Sequence, residues 1–97
     1  MRLLAGVFEA VEAETPYGGL AVSYELLGHA WLKLGARRRR ERSEAGGRRA
    51  IESVTAETRA DARLAPGRVL RFGGADWRIV GAEHVGGRAV LNLERVR

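Results

Sequence analysis

Four side chains in this 97-residue sequence, His29, His84, Ser23 and Ser43, have the most direct capacity for chemistry, and none stands in a pattern that would use it. Neither histidine has a carboxylate or a second histidine at ligand spacing, and metal binding and base catalysis both need positioned partners. The serines lack a nucleophile-elbow context, and no glycine-rich segment has phosphate-loop spacing followed by Lys-Ser or Lys-Thr. The glycine pairs read as turns. Cysteine is absent, which removes disulfide frameworks and thiolate zinc sites together. The expectation is a protein without catalysis, metal or cofactor.

The pattern that does carry a chemical capacity is basic. Arg37, Arg38, Arg39, Arg40, Arg42, Arg48 and Arg49 lie within thirteen positions, against Glu41 and Glu44. Their excess matches the +5 net charge of the whole chain, so the imbalance is local. Guanidinium groups so concentrated can contact phosphates and release counterions, giving salt-dependent binding that is blind to base sequence. Nothing nearby is suited to reading base edges. A run of like charges is equally a solvated stretch that repels itself, and the sequence leaves both readings open.

The elements that would position this cluster are short and strand-like. Leu3 to Ala13 leans extended, and Thr15-Pro16-Tyr17-Gly18-Gly19 breaks it. In Leu20 to Leu34, the residues Leu20, Val22, Tyr24 and Leu26 share one phase and Ala30, Leu32 and Leu34 the other. A change of phase near Gly28 predicts a bulge or bend, with a helix over Val22 to Leu34 as the competing reading. Ala36 to Arg49 has almost nothing to bury and reads as a solvated loop or a short helix that orders on assembly. Thr58, Ala60, Ala62 and Leu64 then alternate with charged residues as a half-buried strand, closed by Pro66-Gly67. Three further strands follow, Arg68 to Phe72, Trp77 to Glu83 and Arg88 to Val96, separated by Gly73-Gly74 and Gly86-Gly87. Connections this short demand antiparallel pairing.

The sum is one domain over residues 1–97, all-β, a small antiparallel barrel or sandwich of about six strands, with 36–49 as an arginine-rich loop insertion. Its expected core is Trp31, Leu70, Phe72, Trp77, Ile79, Leu91 and Leu93, with both tryptophans packed inside rather than serving as base-stacking platforms. Tyr17, in a turn, is expected outside. Met1 to Val11 has no long apolar stretch, and no later run could span a bilayer, so the chain reads as soluble, unexported and free of membrane contact. A domain this small has a thin margin of stability unless an oligomer or partner adds contact area.

Taken in order, several segments resemble one family. They are Tyr17-Gly18-Gly19, then Tyr24-Glu25-Leu26-Leu27-Gly28-His29-Ala30-Trp31-Leu32-Lys33-Leu34, then Arg39-Arg40-Glu41-Arg42. Thr58-Arg59-Ala60-Asp61, Leu64-Ala65-Pro66-Gly67-Arg68-Val69-Leu70 and Phe72-Gly73-Gly74-Ala75-Asp76-Trp77-Arg78-Ile79-Val80 follow. This succession is similar to that of phage head-tail adaptor and head-completion (stopper) proteins, including the connectors of gene transfer agents. It matches their glycine turn, their Val-Trp-Ala-like strand with the short Arg-Glu segment after it, and their Gly-x-x-aromatic-x-Ile strand. Tyr24 stands where that family commonly has tryptophan, and the stretch from Ala56 to Ala62 is poorer than theirs in large apolar residues.

The resemblance implies a barrel subunit of a closed homo-oligomeric ring, hexamer or dodecamer, at the head-tail interface of a virion or phage-like particle assembled in the host cytoplasm. Portal or adaptor proteins would lie above it and tail proteins below. In stopper members the loop after the Val-Trp-Ala-like strand projects into the channel and helps to hold packaged double-stranded DNA, and Ala36 to Arg49 fills that position here. The alternative is a free-standing small barrel that binds nucleic acid without sequence preference through Arg37 to Arg49.

Overall fold

Ala89, Leu91 and Leu93 are fully buried while Arg88 and Asn92 are exposed, and this two-residue period builds the interior of the molecule. The computed structural model describes residues 2–44 and 47–96. It contains six strands: β1 (Arg2–Glu14), β2 (Leu20–Glu44), β3 (Gly47–Arg59), β4 (Val69–Phe72), β5 (Ala75–Val85) and β6 (Arg88–Arg95). All neighbours are antiparallel, in the order β1-β2-β3-β6-β5-β4, and β4 returns to β1 to close a barrel. The fold is therefore all-β, and no described residue is helical. The helical alternative over Val22 to Leu34 gives way because every residue from Leu20 to Leu26 and from Gly28 to Lys33 pairs in register with β1.

Inward-facing residues from every strand meet in one core. Val7, Leu32, Leu70, Trp77, Ile79, Leu91 and Leu93 are essentially inaccessible, and Phe72 stacks on Trp77 with ring centroids 5.5 Å apart. Trp31, expected among them, is 61% exposed. Alternation explains the correction, since Ala30 and Leu32 both turn inward and the residue between them has to point out. The indole N–H of Trp77 is buried without an acceptor among the described residues.

The bend expected near Gly28 is a bulge. Val7 pairs with Gly28 but Phe8 pairs with Leu26, which leaves Leu27 as the extra residue. Gly28 holds φ at +148°, and a Cβ there would run into the Arg63 guanidinium. That guanidinium donates to the carbonyls of Leu27 and His29, both at 3.3 Å, and to the Asp61 carboxylate at 2.6 Å. Arg63 thus ties a loop across the kinked strand. A second bulge sits further along β2, where Leu34 pairs with Ala56 and Arg37 with Val54, so that Gly35 and Ala36 oppose Thr55 alone.

The strand expected around Thr58 runs earlier than its alternation suggested. Val54, Ala56 and Thr58 face inward, and β3 ends at Arg59. The amide of Ala60 donates to the Gly87 carbonyl, after which the chain leaves the ladder and drops Leu64 onto the core. The Thr58 hydroxyl donates to the Trp31 carbonyl at 2.8 Å, bridging β3 to β2 beyond the end of their ladder.

Hydrogen bonds from Arg63, opposed in part by burial, hold the Asp61 carboxyl below its ordinary value. A carboxyl depressed in the folded state contributes stability that is complete above its unfolded pKa and is lost as pH falls through the folded one. Chemical denaturation of the native chain and of Asp61→Asn should therefore show a stability gap that is constant above about pH 5 and closes below about pH 4. A gap independent of pH would remove the ion pair from the account of the loop.

Candidate nucleic-acid interface

The basic segment is part of the sheet. Residues 36–44 continue β2, and the ladder runs from Arg37 opposite Val54, through Arg38 opposite Ser53, Arg39 opposite Glu52 and Arg40 opposite Ile51, to Glu44 opposite Gly47. This corrects the expectation of a loop or short helix over 36–49. Residues 45 and 46, including Gly46 of the expected glycine pair, lie outside the described residues, as do the side chains of Arg42, Arg48 and Arg49. A two-stranded ribbon needs no buried side, so its sequence shows no apolar alternation. Its order comes from cross-strand amide hydrogen bonds.

β3 joins β6 only from Ser53 onward. The six residues from Arg39 to Glu44 and their partners in β3 therefore project as a free ribbon for roughly 20 Å, with Arg38 at its base. Arg38, Arg39 and Arg40 are exposed, and none makes an ion pair or hydrogen bond with the described residues. Two glutamates of the ribbon are engaged elsewhere, since Glu52 accepts from Arg95 at 3.3 Å and Glu41 has a partner of its own. Register sets Arg38 and Arg40 on the face turned away from the barrel axis. Arg37 is different. Its guanidinium lies 5.4 Å from the ring centroid of Trp77, where it caps the barrel.

This arrangement can grip an extended polyanion. Ribbons enter grooves or lie along phosphate backbones, and cations without internal partners pay no ion-pair cost when they meet phosphate. Elsewhere, His29, His84 and Ser23 are exposed, and no group of three or more His, Asp or Glu among the described residues could hold a metal ion.

Sequence reasoning missed a second ribbon. β4 contacts β1 only from Gly6 to Phe8, so Glu9–Glu14 of β1 and their partners in β2 also stand clear of the barrel. The outer face of that ribbon exposes Leu20, Val22, Tyr24 and Leu26, and continues along the barrel wall through Leu4 to Trp31. The shared phase of Leu20 to Leu26 was the visible signal. Which side it faced depended on the bulge at Leu27.

These features define a class, a closed six-stranded antiparallel barrel carrying two long ribbons, one of them rich in arginine. A chain in the solved virion of a native gene transfer agent particle has this fold, with a TM-score of 0.73 and 22% sequence identity over 97% of the present chain and 94% of that one. No protein-family model matches the sequence, and no curated protein does.

Proposed function

We propose that this chain is a structural subunit of a phage-like particle, a head-tail connector of the stopper or adaptor type. In this reading it forms a ring that continues the portal channel and helps to retain or pass DNA, without catalysis. The observation that carries it is the fold shared along almost the whole chain with a chain of a gene transfer agent virion. The arginine ribbon supports the DNA part. Arg38, Arg39 and Arg40 are exposed on a projecting element and have no partners among the described residues, and a ring multiplies that charge by its copy number into one positive collar. Copies of itself, portal or adaptor proteins, tail proteins and double-stranded DNA are the partners this role requires.

Deleting the chain from a particle-producing cell tests the reading. Heads should fill but lose their DNA or fail to acquire tails, and electron microscopy of complete particles should locate the chain at the head-tail junction. Full, tailed particles in its absence would sink the proposal. A free-standing nucleic-acid-binding barrel would give that result, and would bind duplex DNA as a monomer.

A further inference from the structure

Charge is divided in this molecule by ribbon. From Leu3 to Leu32 the sequence holds four carboxylates, Glu9, Glu12, Glu14 and Glu25, and no lysine or arginine. All four lie on the β1–β2 ribbon, and Glu9 pairs directly opposite Glu25. Among the described residues, Glu9 alone of the four has a cationic partner, Arg68 at 3.6 Å. Glu12, Glu14 and Glu25 make no ion pair with the described residues. The tip between the strands exposes Tyr17 almost completely, and Leu20 beside it is 67% exposed.

The opposite arrangement occurs on the barrel wall. An open depression of about 720 Å³ is lined by Arg2, Lys33, Arg59 and Arg88, with Trp31 at its side. Arg2 sits directly across from Lys33 in the β1–β2 ladder, and Arg59 directly across from Arg88 in the β3–β6 ladder. Like charges in directly opposed positions destabilise a sheet, and here two such pairs border one depression. None of the four cations makes an ion pair or hydrogen bond with the described residues, and of the carboxylates at the rim Asp61 is held by Arg63. Glu57, directly across from Lys33 in the β2–β3 ladder, offsets part of this repulsion, but the four cations still outnumber the two carboxylates that line the depression. An anionic partner with an apolar tip would relieve the remainder.

We propose that the β1–β2 ribbon of one copy seats in the Arg2, Lys33, Arg59 and Arg88 depression of a second copy. The carboxylates Glu12 and Glu14, which share a ribbon face with Leu20 and Val22, then meet the paired cations, and Tyr17 and Leu20 meet Trp31. The ribbon cannot fill the depression of its own chain. Tip and depression lie at opposite ends of one ladder, from Glu14 opposite Leu20 to Arg2 opposite Lys33, about a dozen residues or roughly 40 Å of strand apart. The contact joins two different patches, so it propagates head to tail and closes into a ring when the rotation per subunit allows. The same docking covers the exposed apolar line from Leu20 toward Trp31, an area of the kind monomeric proteins rarely leave open.

This inference rests on the reading of the chain as a ring subunit, and a charge-swap experiment separates the two. One variant carries Glu12→Lys and Glu14→Lys, and the other carries Arg59→Glu and Arg88→Glu. Sedimentation velocity at low ionic strength should show the native chain self-associating and each variant, folded by circular dichroism, at least tenfold weaker. An equimolar mixture of the two should assemble again, because each ribbon then finds a complementary depression on the other variant. A native chain that stays monomeric overturns the interface, as do variants that associate like the native chain or a mixture that stays dissociated. The ring reading fails separately, if particles contain the chain as a single copy.

Discussion

Replacing Arg38, Arg39 and Arg40 together by glutamine should lower affinity for duplex DNA by roughly 10²–10³-fold at about 0.1 M monovalent salt, with the unfolding transition unchanged. Each phosphate neutralised contributes about 0.9 to the slope of log affinity against log salt, so three lost contacts flatten that slope by about 2.7. At 0.1 M that exponent gives the stated factor. Stability should not follow, because the three side chains are exposed and touch no described charge. Changing all three to lysine should keep the slope, because counterion release depends on charge and not on guanidinium geometry. Arg37 is left intact because it lies over Trp77, where its loss would mix packing with binding. An unchanged slope in the glutamine variant would remove this ribbon from DNA contact. On the proposed connector role, particles carrying the same variant should assemble and then leak their DNA.

How much of this was legible in the sequence depends on which residues had a core to face. Ala89, Leu91 and Leu93 alternate with polar residues because one side of β6 is inside the barrel, and both glycine turns flanking β5 could be read for the same strand-and-turn reason. The arginine segment had no such signal. With little to bury, its composition suggested a loop, although each residue from Arg37 to Glu44 pairs with one from Val54 back to Gly47. Trp31 misled for a related reason. Its size argued for burial, but in a strand the immediate neighbours of a buried Leu32 face the other way. The phase of a single residue outweighed its hydrophobicity.

The two ribbons give this small barrel its asymmetry. The chain is basic as a whole, yet thirty consecutive residues from Leu3 to Leu32 carry only negative charge, and the excess of arginine lies beyond them. Both ribbons grow from β2, whose 25 residues pair first with β1 and then with β3. One strand therefore links an acidic, apolar-faced projection to a basic one through the barrel wall. A subunit so built can bind a neighbour with one end and a polyanion with the other without either contact using the core. That separation is why the two sets of substitutions, at Glu12 and Glu14 or at Arg38 to Arg40, should act independently.

The geometry of β2 depends on one glycine, and Gly28→Val should destabilise the chain by about 4 kcal/mol. Two costs combine. A β-branched residue at φ +148° is strained by about 1–3 kcal/mol, and its Cβ displaces the Arg63 guanidinium from the Leu27 and His29 carbonyls, a loss of about 1–2 kcal/mol. For a domain of this size the sum is a large share of total stability, and it should lower the thermal midpoint by roughly 20 °C. The two costs separate in a double-mutant cycle. In an Arg63→Ala background the obstruction is gone while the strain remains, so Gly28→Val should cost about 1–2 kcal/mol less there than in the native chain. Equal costs in both backgrounds would show that Arg63 does not fill the bulge. The consequence reaches the interface as well, since Gly28 sets the phase that turns Trp31 outward and leaves Leu32 inside. A valine variant rescued by a stabilising osmolyte should therefore fold and yet self-associate more weakly than the native chain.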